Sequence, residues 1–279
     1  MFDVFYGLVI GLFNIIKIPL IIVAIIVGII VSIIVFYCVL YRLKGIKPTK
    51  CTILIRYKKR GKIKRIFIDF PKQYAYDFMT KDYDRFGYKG IVVFTGRQGN
   101  GKTIAMSKFI QDIQLQYPKC KVITNYGLTC EDDTLIHWKQ LLDYNNDKYG
   151  VCVGIDEMQN WLGTFLSRNF PPEMLAVATQ NRKNSRIICG TAQSFHLLAK
   201  TIRSQCTEVR ECRTLFGCIT IVRRREPVLD SEGNVIKYNN LGMYFFVHSN
   251  ELRASYDTYK VISSLSDQVN NMDKIDKSI

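Results

Sequence analysis

The sequence has few of the residues that hold structural metals or cross-link a small fold. Its three histidines, His137, His196 and His248, are far apart, and none has metal-ligand spacing. Its nine cysteines are an odd number without C-x-x-C spacing. Several of them, such as Cys152 and Cys189, lie inside apolar runs. These patterns exclude a zinc site and a disulfide framework, and they indicate small core side chains in a reducing compartment.

Charge is absent between Ile18 and Tyr41, a stretch of 24 residues. About 20 apolar residues span the bilayer core as a helix, and Tyr37 and Tyr41 suit an interface position. We therefore predict a membrane anchor over residues 1–43. A cleaved signal peptide is disfavoured, because the apolar run is too long and no basic segment precedes it.

A shorter apolar run, Val4 to Ile16, precedes this anchor. Three alternatives stay open for it: it lies in the membrane interface, it extends the helix, or it forms half of a hairpin. We expect the break between the two runs at residues 17–19, which include Pro19.

Acidic residues are missing from residues 42–65, which contain eleven lysines and arginines. The positive-inside rule then places everything after the anchor in the cytoplasm. The same cluster would hold anionic lipid headgroups at about 1 kcal/mol per charge. Because the formal net charge is +15, nucleic acid is a second possible partner. Within residues 44–87, alternation over Cys51–Tyr57 and Lys62–Phe70 predicts a β-hairpin.

The most specific pattern is G-x4-G-K-T, the phosphate-cradling loop of nucleotide-hydrolysing proteins. Its residues are Gly96, Arg97, Gln98, Gly99, Asn100, Gly101, Lys102 and Thr103. The apolar run 91–95 predicts a buried strand before the loop, and residues 103–116 predict a helix after it. Such a loop turns backbone N–H groups toward phosphate oxygens at a helix N-terminus. We expect ATP and Mg²⁺ as cofactors, with Lys102 at the β- and γ-phosphates and Thr103 on the metal.

A carboxylate pair follows a second buried-strand pattern, Val151–Ile155. An acid at the C-terminal end of a neighbouring strand faces the phosphate crevice. We expect Asp156 to hold Mg²⁺ through water and Glu157 to act as the general base. The alternative is an ordinary charged strand end in a turn.

A third strand pattern, Arg186–Thr191, leads to Gln193. In P-loop enzymes with an acidic general base, an added strand lies between the strand before the phosphate loop and the acidic strand. We expect Gln193, at its tip, to touch the γ-phosphate or the attacking water. The alternative is a helix-capping or loop amide.

The rest of the pattern alternates strands and helices, which predicts an α/β fold with a parallel sheet covered by helices on both faces. The ATPase domain is expected over residues 88–262 and a polar tail over 263–279. Further predicted elements are a strand at 121–125, a helix at 133–145, helices within 157–184, a short helix at 196–204, strands at 207–213, 217–224 and 243–248, and a hairpin turn at 230–234.

Four features make the chain resemble the additional-strand P-loop ATPases of the FtsK/HerA group, with Zot-like phage assembly and viral packaging ATPases nearest. They are GRQGNGKT, VCVGIDEMQNW, the block from Gln180 to Gln193, and Tyr256-Asp257-Thr258. This resemblance covers residues 88–262 and implies a P-loop NTPase fold of RecA/FtsK type. Zot-like phage proteins often carry their membrane span after the ATPase domain, whereas here it comes first. Extrusion, packaging and conjugation therefore stay open.

The resemblance implies a homo-oligomeric ring, a hexamer in related motors, through which DNA or a phage filament passes without sequence readout. Phage or secretion assembly proteins are further implied partners, in a host inner membrane or a virion membrane. Such rings complete each site with an arginine from the next subunit. Arg182, Arg186 and Arg203 are the unranked candidates. A protein-exporting ATPase and a non-hydrolysing scaffold are the rival interpretations, and Glu157 and Gln193 argue against the scaffold.

Overall fold

The computed structural model describes residues 2–45, 61–164, 184–231 and 233–256, with side chains from residue 17 onward. The chain divides into two compact units, Met1–Tyr83 and Asp84–Ile279. Residues 51–57, the first half of the predicted hairpin, lie outside the described residues, as do residues 257–279 with the predicted tail.

The first unit is helical. It contains α1 (Phe2–Lys44), α2 (Lys62–Lys64), a π-helical turn (Arg65–Asp69) and α3 (Phe70–Met79). Helix α1 continues through Pro19, so the expected break at residues 17–19 is wrong and the first apolar run extends the helix. Among the described residues, the segment Lys17–Lys44 is the one helix long and apolar enough to cross a membrane. Helix α3 packs against α1, where the rings of Tyr41 and Tyr76 meet edge to face with centroids 6.0 Å apart.

The predicted β-hairpin is wrong for Lys62–Phe70, because these residues form continuous helical turns. Ile63, Ile66, Phe67 and Phe70 are spaced i, i+3, i+4 and i+7, which is the repeat of one helix face. Proline follows at the second position of α3, where its missing N–H costs little.

The second unit is built on one eight-stranded sheet. Its elements are β1 (Gly90–Thr95), α4 (Lys102–Gln116), β2 (Lys121–Thr124), β3 (Asp133–Thr134), α5 (Gln140–Asp143), β4 (Val151–Ile155), α6 (Gln159–Leu162), β5 (Arg186–Ala192), α7 (Lys200–Arg203), β6 (Cys206–Leu215), β7 (Ile219–Leu229), β8 (Val235–Val247) and α8 (Asn250–Ala254). Single 3₁₀ turns occupy Asp147–Tyr149 and Phe195–Leu197.

The strand order is β3-β2-β4-β5-β1-β6-β7-β8. Neighbours from β3 to β6 are parallel, and β6, β7 and β8 are antiparallel. The predicted fold class is confirmed, and so is the placement of β5 between the strand before the phosphate loop and the acidic strand. The predicted helix at 133–145 is largely wrong, because residues 133–134 pair with β2 and only Gln140–Asp143 are helical.

The core is divided by the sheet into two layers. On β1, Ile91 and Val93 point into one layer, whereas Val92 and Phe94 point into the other. This is the period-two alternation of a strand that is buried on both faces. Helix α4 covers the second layer with Ile110 and other apolar side chains. The carboxyl ends of the parallel strands are thereby held at one edge of the sheet.

A half-buried carboxylate, that of Glu208, joins β6 to β7. Arg210 and Arg224 lie directly opposite each other across the two strands, which alone would be repulsive. Glu208 accepts from both, at 2.8 Å from Arg210 Nε and 2.7 Å from Arg224 Nε. Burial alone would raise the pKa of Glu208, but the hydrogen bond from Arg224 and the charge of Arg210 outweigh it and lower the pKa below its ordinary value.

We expect Glu208→Gln to destabilise the fold by about 3 kcal/mol, because it leaves two opposed arginines without their carboxylate. The lowered pKa means that the folded state gains from the ionised carboxylate above pH 4.5 and loses this gain as the pH falls through the lowered pKa. Urea unfolding of both proteins at pH 7 and pH 3.5 measures this, with the exposed Glu226→Gln as the control. A difference that does not shrink at pH 3.5 would contradict the assignment.

Candidate functional site

The phosphate loop, Gly96–Thr103, has the backbone conformation that its glycines predict. Gly99 and Gly101 have φ of 78° and 74°, in the left-handed region that favours glycine. A Cβ on Gly101 would also collide with the hydroxyls of Thr214 and Thr220 on the neighbouring hairpin. Gly101 caps α4, so the loop leads directly into a helix N-terminus, where backbone N–H groups have no partner within the helix.

Lys102 lies at the start of α4 and is only 7% exposed. Its Nζ is 3.4 Å from the carbonyl oxygen of Arg97, so the side chain folds back over the loop. Arg97, Gln98 and Gly99 are exposed. The loop therefore presents its backbone to solvent, with one buried ammonium group beneath it, which is the arrangement that an anionic phosphate chain requires.

Thr103 and Asp156 are in contact, although they are 53 residues apart in the sequence. They are the two residues predicted to hold the metal. The Thr103 hydroxyl donates to Asp156 Oδ1 at 3.0 Å. A hydroxyl beside a carboxylate oxygen, both next to a phosphate-binding loop, is the donor set that suits Mg²⁺. Among the described residues, no group of three or more His, Cys, Asp or Glu forms an alternative metal site.

Two further residues fix Asp156, and sequence reasoning missed both. Asn125 brackets its backbone, accepting from Asp156 N–H at 2.8 Å and donating to its carbonyl at 3.2 Å. The Thr191 hydroxyl donates to Asp156 Oδ1 at 2.5 Å and accepts from Glu157 N–H at 2.9 Å. Asn125 directly follows β2 and Thr191 is on β5, so only the strand order brings them here. Their one sequence signal is a polar residue at the end of an apolar strand.

Glu157 follows Asp156 with φ of 50°, which is unfavourable for a residue with a side chain. Such strain persists only where the surroundings enforce it, and it gathers at functional sites. Here the Thr191 hydroxyl holds the Glu157 N–H, and Gln159 Nε2 donates to the Glu157 carboxylate. The carboxylate is thereby oriented by its own chain.

Gln193 follows β5 and is exposed. It shares a cavity of about 870 Å³ with Gly96, Arg97 and Asn100 of the phosphate loop. The other walls come from Ser194–His196, from β6 and β7, and from Tyr238. The structure thus brings Gln193 to the loop, as the position of β5 predicts.

The three candidate arginines are not brought together. Arg182 lies outside the described residues. Arg186 is 1% exposed at the start of β5, the end remote from the loop, and donates to the carbonyl of Leu141. Burial lowers its pKa to about 10. Arg203 is buried on α7. Both guanidinium groups are thus enclosed in their own subunit, and an intersubunit role for any of the three arginines stays a prediction.

Strand order, loop conformation and the Thr103–Asp156 contact together define a P-loop NTPase fold. No model of a protein family matches the sequence, and no curated protein matches it either.

Several solved structures are similar in fold. The N-terminal domain of zonular occludens toxin from Neisseria meningitidis has 15% identity and a TM-score of 0.44, over 61% of this chain and 100% of that one. The genome packaging NTPase B204 from Sulfolobus turreted icosahedral virus 2, in complex with ATP-gammaS, has 18% identity and a TM-score of 0.37, over 46% and 76%. The flagellar accessory protein FlaH from Methanocaldococcus jannaschii has 10% identity and a TM-score of 0.33, over 57% of this chain and 89% of that one. At these values the likenesses carry no argument about activity.

We expect Thr191→Val to release the Asp156 carboxylate and leave the Glu157 N–H unsatisfied, at a cost of about 1–3 kcal/mol in stability. Mg²⁺-dependent nucleotide affinity should fall as well, because Asp156 Oδ1 is left with a single hydroxyl donor. Chemical unfolding and nucleotide titration with and without Mg²⁺ measure the two effects. Thr191→Ser keeps the hydroxyl and is the matched control; if it behaves like Thr191→Val, the hydrogen bonds are not the cause.

Proposed function

We propose that this chain is a membrane-anchored ATPase whose catalytic domain faces the cytoplasm and which moves the genome of a phage or mobile element. The observation that carries the ATPase proposal is the hydrogen bond between Thr103 and Asp156. It joins the phosphate loop to the acidic strand across the inserted β5, with Glu157 as the next residue.

The residues have distinct tasks in hydrolysis. Lys102 and the loop N–H groups bind the β- and γ-phosphates of ATP, and Thr103 and Asp156 would hold Mg²⁺. The metal supplies positive charge that offsets the phosphates. Glu157 accepts the proton of the attacking water as the bond from the water oxygen to the γ-phosphorus forms. The bond from that phosphorus to the β–γ bridging oxygen breaks in the same step, and ADP leaves with that oxygen. Gln193, which shares a cavity with Gly96, Arg97 and Asn100 of the phosphate loop, orients that water or a γ-phosphate oxygen.

The proposed active form is a homo-oligomeric ring, a hexamer by family resemblance. Because Arg186 and Arg203 are buried in their own subunit, we favour Arg182 among the three for the arginine that acts on a neighbour's site. Its position in the basic block before β5 supports this choice.

The proposed cargo is DNA, bound through its phosphates without sequence readout. The positive net charge and the motif block before Gln193 support this cargo. A conjugative DNA-coupling ATPase is the second candidate, favoured by the position of the apolar helix before the ATPase domain. A third is an ATPase that drives protein export or assembly without DNA.

Catalytic variants test the ATPase proposal. Glu157→Gln should retain ATP and Mg²⁺ binding but lose turnover by on the order of 10²-fold or more, because an amide cannot accept the proton. Lys102→Ala should instead lose nucleotide affinity while keeping its far-UV circular dichroism. Phosphate release and nucleotide titration on the full chain in detergent measure both. Normal turnover in Glu157→Gln would assign the general base to another residue.

The same assay separates the candidate cargoes. An increase in ATP turnover on addition of single- or double-stranded DNA supports a DNA motor. Turnover that neither form of DNA changes supports protein export or assembly. Lys102→Ala protein with DNA is the control for contaminating hydrolysis.

Membrane anchoring is tested by fractionation. The full chain should stay in the membrane pellet at 1 M salt, where the Debye length is about 3 Å and charge attraction to lipids is screened. A chain lacking residues 1–42 should leave the pellet under that wash, because the apolar segment is gone. A truncated chain that still needs detergent would place another membrane segment in the remainder.

A further inference from the structure

The residues that the structure describes leave one face of the antiparallel strands β6–β8 exposed. We define this open face by the rows Arg213–Ile221–Phe245 and Glu211–Arg223–Met243, which lie side by side across the three strands. Phe245 is 71% and Met243 is 65% exposed. The opposite face of the same strands is buried in the core layer under α4. Exposed apolar area of this kind, beside charged residues, marks a binding surface.

The open face carries uncompensated positive charge. Arg213 and Arg223 are exposed, and neither forms an ion pair with a described residue. The acid of this face, Glu211, is already paired with Arg225 at 2.9 Å. A ligand for this surface must therefore bring negative charge.

An aromatic side chain is displayed at the tip of the β6–β7 hairpin. Phe216 and Gly217 have φ of 52° and 68°, and Cys218 N–H bonds back to the carbonyl of Leu215 at 3.2 Å. This is a type I′ turn, whose first central position favours Asn, Asp or Gly. Phe216 occupies it while 92% exposed. Among the described residues, the Phe216 ring therefore gains no packing from this strained backbone, and strain without such a gain points to function.

The open face adjoins the nucleotide site. Arg213 and Arg223 line the same cavity as Gln193 and Gly96. Strand β6 runs parallel to β1, so the hairpin tip rises at the sheet edge that carries the phosphate loop. A ligand on this face would reach the region where the γ-phosphate is expected.

We infer that the open face and the Phe216 tip bind single-stranded nucleic acid, with phosphates at Arg213 and Arg223 and bases stacked on Phe216 and Phe245. Cationic side chains interleaved with exposed aromatic rings are what a strand with unpaired bases requires. A duplex hides its base faces and leaves the rings unused. A second copy of this chain would have to supply carboxylates to two arginines that it buries. The assignment rests on the proposed function, since it names the cargo of the same site.

The Phe216→Asn variant gives the sharpest test. Asn followed by Gly is a favoured type I′ pair, so the variant should raise Tm by about 2–4 °C. Its affinity for a fluorescent dT oligonucleotide, measured by anisotropy on the full chain in detergent, should nevertheless fall on the order of tenfold, because one stacking ring is removed. A role in folding alone would move stability and binding together. Unchanged affinity overturns the stacking assignment.

Charge removal tests the role of the two arginines at the phosphates. Arg213→Gln with Arg223→Gln should weaken oligonucleotide binding and reduce the slope of log K against log salt by about 1.4, at about 0.7 for each phosphate that the protein no longer neutralises. Arg85→Gln with Lys89→Gln removes two exposed charges before β1, at the end remote from the phosphate loop, and is the matched control. Equal slopes in the two double variants overturn the assignment.

Two further outcomes decide between partners. If duplex DNA binds as tightly as the single-stranded oligonucleotide, and Phe216→Asn does not change the affinity for the duplex, the assignment to a single strand is overturned. A change of particle mass in these variants, measured by light scattering, would show an interface between copies instead. Binding is measured without nucleotide, so it does not depend on hydrolysis. Wild-type protein that binds the strand but hydrolyses no ATP would refute the proposed ATPase and leave the binding assignment of this surface intact.

Discussion

A single carboxylate oxygen of Asp156 accepts hydrogen bonds from the hydroxyls of Thr103 and Thr191. These two bonds join elements that are remote in sequence. Thr103 belongs to the helix after the phosphate loop, and Thr191 to the strand inserted between that loop and the acidic strand. Asn125 fixes the backbone of the same aspartate from a third strand. The site therefore depends on the strand order as a whole, because a different neighbour for β4 would remove the donors. The strand order that builds the sheet therefore also sets the geometry of the site.

The parts that sequence reasoning predicts well are those in which local and long-range signals agree. The phosphate loop is bounded by an apolar run and an amphipathic helix, and its glycines need conformations that few other residues adopt. Strand β4, which precedes Asp156 and Glu157, is uniformly apolar because both of its faces are buried. The prediction of a hairpin strand at Lys62–Phe70 is wrong because a short segment can fit both the alternation of a strand and the spacing of a helix. Ile63, Ile66, Phe67 and Phe70 fit the helical repeat, and the structure follows it.

The remaining features could not be predicted from the sequence, because tertiary contacts decide them. Nothing local distinguishes Thr191 from any threonine in a strand, and its two hydrogen bonds exist only because β5 lies beside β4. The sequence makes Arg186 a candidate for the arginine that completes a neighbour's site, and nothing local indicates that it is buried and bonded to the carbonyl of Leu141. The expected helix at 133–145 gave way to a two-residue strand because the edge of the sheet offered backbone partners there.

The pairing of β1 has a consequence for the order of folding during synthesis. Both neighbours of this strand come late: Gly90 pairs with Ile187, and Ile91 with Cys206. At a ribosomal rate of about 5–20 residues per second, β1 waits roughly 5–20 seconds for its first partner. During that interval the apolar strand and the loop behind it have no sheet to join, although the segment before them has already left the ribosome. The nascent chain thus stays exposed to chaperones and to wrong pairing until the last third is made.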